Sequence, residues 1–155
     1  AYQIVYDHEN WKRIAAYLNT DNYDKIPILN RLMILNHANK LSYDVEQDVE
    51  LTIEILSYLS REKNIIPFLA SQSVLNILAP KLINTPEYEP FRRFSLDLMK
   101  SAMSHIRIFD HRQDNKVTEY LKRQIINMAC RFGHQDCKRV AVAKFIEAIN
   151  NKNLK

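Results

Sequence analysis

Glycine is nearly missing from this chain. One occurs in 155 residues, where average usage near 7% would give about eleven. Dinucleotide fingerprints, phosphate-binding P-loops and nucleophile elbows each need several glycines where backbone turns sharply or approaches a ligand, so all three are excluded. Tight β-hairpins lean on glycine for positive φ, which disfavours compact β architectures as well. An all-α chain is what remains. Cysteine is also scarce, with two residues, too few for a disulfide-dense scaffold. No apolar run approaches the roughly 20 residues of a membrane span.

The length suits one domain, large enough to bury roughly 70% of its unfolded surface. The opening Ala1-Tyr-Gln-Ile-Val-Tyr6 has neither an initiator Met nor the basic and apolar regions of a signal peptide. The expectation is a single helical domain over residues 1–155, excised from something longer. No Asn-x-Ser/Thr sequon occurs, because Asn84-Thr85 runs into Pro86 and no other Asn has Ser or Thr two positions on.

The net charge is +4, from 22 basic and 18 acidic residues. The basic pairs Arg92-Arg93, Lys122-Arg123 and Lys138-Arg139, with Lys152 and Lys155, are interspersed with acids and form no long block. Such pairs describe a solvated helix face better than a phosphate track, and no nucleic-acid partner is expected.

Helical periodicity runs throughout. Trp11, Ile14, Ala15 and Leu18 form a stripe behind Asp7 as N-cap. Pro27 suits a first helical position, followed by Leu29, Leu32, Met33 and Leu35. Val45, Val49, Thr52, Ile53, Leu56 and Leu59 follow Asp44 and Gln47, a capping-box variant. Pro67 opens a helix carrying Phe68, Leu75, Ile77, Leu78 and Leu82, and Thr85-Pro86-Glu87 opens one with Phe91, Phe94, Leu98, Ala102 and Ile106. A polar break spans 110–116. Val117, Leu121, Ile125, Met128 and Phe132 lead to Gly133 as a C′ residue. The last helix carries Cys137, Val140, Ala141, Lys144, Phe145 and Ile149, then frays into Asn150-Asn151-Lys152. About seven helices with short connections imply stacked antiparallel α-hairpins, and no fixed-period repeat marks them as a bundle or a solenoid.

Little of this carries chemistry. His8-Glu9 starts a zinc-motif pattern, but Lys12 stands where HExxH needs its second His. His37, His105 and His111 sit without partners that spacing can name, as do Asp97, Asp110 and Asp114. Tyr88, Phe91 and Phe94 fit core packing better than a peptide-binding stripe. The dense constellation is Cys130-Arg-Phe-Gly-His134-Gln-Asp-Cys137. As a zinc site it offers Cys130, His134 and Cys137, with His111 or Asp136 fourth, but it lacks paired C-x2-4-C spacing. As a disulfide it would staple a hairpin for about 2–3 kcal/mol and imply an oxidising compartment. As free thiols it would sit half-buried in the core. Periodicity does not choose between disulfide and thiols.

In order along the chain, several segments resemble the C-terminal helical domain of zinc aminopeptidases of the aminopeptidase N type. Val5-Tyr6-Asp7, Asn10-Trp11, Ile14 and Leu18 resemble its opening. Ile28-Leu29-Asn30-Arg31 and Ala38 resemble its "NRAQLIDDA" helix; Leu51-Thr52, Tyr58-Leu59, Glu62 and Ile66-Pro67-Phe68 resemble "LT..YL..E…IPW". Tyr88 and Phe91 match a following "Y..F", and Ala129-Cys130, Gly133 and Cys137 match "AC..G…C", with Ala141 and Phe145 after it. The departures are the lost Gln and both Asp after Arg31, a shorter loop at Asn39-Lys40-Leu41, Phe68 for Trp, and Ala148 near the place of a second Trp. They mark a divergent, insect-type member.

The resemblance implies a HEAT-like superhelical array and a Cys130–Cys137 disulfide in an extracellular or lumenal parent anchored at the plasma membrane. Trp11, Asn30, Arg31, Pro67 and Gly133 take structural roles in the motifs. Catalysis belongs in the family to an upstream domain with HExxH, a distant Glu ligand and GxMEN, where zinc sits. This chain carries none of these motifs, so no catalytic residue, metal ligand or cofactor is assigned to it. The expected role is to wall the peptide chamber beside the upstream catalytic domain and offer a partner surface. The family implies three partners beyond that domain: peptide substrate, a dimer mate and, for insect members, bacterial crystal toxins. The alternative is a stand-alone helical-repeat binding or receptor module from a catalytically decayed paralogue.

Overall fold

Asp7 starts the first helix as its position predicts: its carboxylate accepts from the Asn10 amide at 2.8 Å, and α1 runs His8–Leu18. The computed structural model describes residues 6–41, 49–105 and 115–150. Among these the chain is all-α. After α1 and a 3-10 turn at Tyr23–Lys25 come α2 (Ile28–Leu41) and α3 (Val49–Ser57), with a 3-10 extension at Tyr58–Arg61. Then follow α4 (Ile65–Leu82), α5 (Tyr88–His105), α6 (Lys116–Arg131) and α7 (Gln135–Asn150).

Helices pack against their next-but-one neighbours as well as the next. α2, α4 and α6 lie side by side with α4 in the middle, while α1 packs on α3 and α5 on the 3-10 extension of α3. The central place of α4 explains its sequence. It buries Pro67, Phe68, Ala70, Ser71, Val74, Leu75, Leu78 and Ala79, so no broad polar face is left, as expected of a helix packed on several sides. By length and composition it could cross a membrane; here its apolar sides meet α2, α5 and α6 instead. Asn19 ties the end of α1 to α3, donating to the Ala15 carbonyl at 3.0 Å and the Glu54 carbonyl at 2.8 Å.

Several boundaries differ from the sequence reading. Pro27 precedes α2, its carbonyl accepting from Asn30 and Arg31 at 2.9 and 3.0 Å. Asn64, not Pro67, starts α4, capping the Ile66 amide at 3.0 Å. Thr85 closes α4, its hydroxyl donating to the Leu82 carbonyl at 3.0 Å, and α5 begins three residues later. The largest correction is α7. Among its residues only Cys137 is buried; Phe145 and Ile149 of the expected stripe face solvent, and so do Val142 and Ile146 beside them. Periodicity locates an apolar face but not whether anything packs on it. The Asp44–Gln47 capping box, Val45, Ile106 and most of the polar break lie outside the described residues.

Gly133 ends α6 with φ of +79°. The His134 amide donates back to Ala129 at 2.9 Å and the Gly133 amide to Cys130 at 3.0 Å, the paired bonds of a Schellman turn. A Cβ at this position would meet nothing nearer than 3.6 Å, so the demand for glycine is conformational and not steric. Gly133→Ala should therefore cost about 1–2 kcal/mol, read as a lower urea midpoint at unchanged slope. An unaltered midpoint would contradict the assignment.

Candidate functional site

Arg31 is the single cation inside the apolar run Ile28–Leu35, and it points inward. Its guanidinium forks onto Glu62, Nε to one carboxylate oxygen at 2.7 Å and Nη2 to the other at 3.2 Å. The side chains are 5% and 1% exposed. Burial of such charges is tolerated only with further hydrogen bonds, and these are present. Glu62 also accepts from the amides of Lys63 and Asn64 at 3.0 and 2.9 Å, and Arg31 Nη1 donates to the Ile26 carbonyl.

Two tyrosines complete this cluster. Tyr23 lies under both Arg31 and Arg61, whose guanidinium carbons stand 5.5 and 5.7 Å from its ring centre, within cation–π range. Its hydroxyl donates to the Arg61 carbonyl at 2.6 Å. The Tyr58 hydroxyl is buried alongside without a well-formed hydrogen bond. Burial first, and the Glu62 charge second, pushes both phenols above their ordinary value, partly offset by Arg31. They are neutral packing elements at any physiological pH.

Above this cluster an open groove of about 440 Å³ is lined by Tyr6, Asn10, Arg13, Ile14, Tyr17, Ile26 and Ile34. Motif residues brace it from beneath. Trp11, 4% exposed, meets the Tyr6 ring edge-on at 5.1 Å, and Arg31 holds the Ile26 carbonyl. The described lining offers apolar walls with one guanidinium, one amide and the two phenols of Tyr6 and Tyr17. Such a lining has the apolar walls and few polar groups of a recognition surface.

The other sequence candidates scatter. Asn30 is exposed and outside the groove, whereas Pro67 is buried in the first turn of α4. Cys130 and Cys137 are joined as a disulfide across the α6–α7 turn beside Gly133, Cα atoms 5.3 Å apart. Neither is then a thiolate, which removes the sulfur ligands of the zinc reading; Asp136 pairs with Arg139 at 2.9 Å. His8 stands exposed at the start of α1, where Glu9 lies 3.6 Å from Arg13. Among the described residues no cluster of His, Cys, Asp and Glu could hold a metal; His105 and His111 side chains lie outside them. The basic pairs are taken up locally: Arg92 and Arg93 on Glu89, Arg123 on Glu119, and Lys122 is buried. Phe91 packs edge-on against Phe132 at 5.9 Å, inside the core.

The pairing of Arg31 with Glu62 escaped the sequence, although both residues stood in quoted motifs. A lone cation amid apolar neighbours was the available signal. The groove had none, because it arises where α1 and α2 diverge.

This all-α architecture, with its buried Arg–Glu pair and short cysteine-bridged hairpin, defines a helical domain without a reaction centre among its described residues. Residues 1–155 match the ERAP1-like C-terminal domain, and the chain belongs to that family. It is similar to aminopeptidase N of Plutella xylostella, 27% identical over 140 residues and 90% of this chain. It is also similar to aminopeptidase N of Oryctolagus cuniculus, 28% over 141 residues and 88% of the chain. The thyrotropin-releasing hormone-degrading ectoenzyme of Rattus norvegicus is 25% identical over 146 residues and 90% of the chain. The chain spans only 14–15% of the length of these relatives.

Two predictions follow from the ion pairs. Arg31→Met or Glu62→Gln alone should destabilise by about 3–5 kcal/mol, leaving a buried partner uncompensated. Arg31→Met combined with Glu62→Leu should cost well under the sum in a urea double-mutant cycle; additive losses would show the two act independently. At the surface, hydrogen bonds from Arg92 and then Arg93 hold the Glu89 carboxyl down at about 2. With the folded value depressed, its stabilising contribution is present above the unfolded range near 4.5 and is lost as pH falls through about 2. A side-chain NMR titration of Glu89 should show that low midpoint, and Arg92→Gln should raise it.

Proposed function

We propose that this chain is a non-catalytic C-terminal helical domain of a zinc metallo-aminopeptidase, secreted or membrane-anchored and facing an extracellular or lumenal space. The observation that carries the reading is the family match over the whole chain, joined by relatives named aminopeptidase N and an ectoenzyme. The disulfide agrees with an oxidising compartment. In this reading the helices form a HEAT-like array that walls a peptide chamber, with the α1–α2 groove as a surface for peptide contact. The opposite, outer surface is where a dimer mate or a bacterial crystal toxin would dock.

Zinc belongs to an upstream catalytic domain in this proposal. The residues here do not fit it: Lys12 replaces the second histidine after His8-Glu9, and both cysteines are spent on each other. Zinc hydrolysis needs nitrogen or carboxylate ligands, an open position and a carboxylate to activate water.

The purified chain, supplied with zinc and an alanyl anilide, should show no turnover above blank. Chelator-sensitive turnover by the chain itself would overturn the reading. In the full parent, Tyr17→Ala with Arg13→Ala in the groove should lower kcat/KM for long peptides severalfold while leaving the alanyl anilide unchanged. Equal effects on both substrates would remove the groove from peptide contact.

A further inference from the structure

We draw no further inference here: the strongest candidate, the groove between α1 and α2 lined by Arg13, Ile14, Tyr17, Ile26 and Ile34, belongs to the site already described, and nothing in the structure shows what covers it.

Discussion

Two opposite charges shut away from water constrain the middle of this protein. Arg31 on α2 and Glu62, between the 3-10 extension of α3 and α4, meet with both prongs engaged. Such a pair adds little net stability over an apolar substitute, because desolvation offsets the attraction. Its value here is registry. Glu62 also accepts two amides at the entry to α4, and its carbonyl takes the Ser101 hydroxyl of α5 at 2.9 Å. One residue thereby relates α2, α4 and α5, and a slip of α2 would strand a buried ion.

The groove depends on that registry at one remove. Ile26 lines it, and its carbonyl is fixed by Arg31; Tyr6 lines it and leans on buried Trp11. Recognition elements at the surface are thus positioned by residues that never reach solvent.

What the sequence revealed follows from what kind of interaction was at stake. Short-range chemistry was legible: Asp7 caps α1, Gly133 takes the left-handed turn, and Trp11, Ala15 and Leu18 are buried together. So was the all-helical class, since a chain with one glycine has few other options. Long-range partnership was not legible. Arg31 and Glu62 are 31 residues apart, and no local rule joins them. The stripe on α7 shows the same limit, because Phe145 and Ile149 have the spacing of a core face yet are exposed among the described residues. Pro67 shows a milder form, in which a true helix signal lay three residues inside the start that Asn64 sets.

Trp11 has a further consequence as a chromophore. It is the single tryptophan in the chain, it is buried, and its ring touches Tyr6, which faces the groove. All indole emission therefore reports one place, the seating of α1 beside the groove mouth. A molecule that displaces Tyr6 would alter the colour and intensity of that light. The protein carries its own optical label beside this groove.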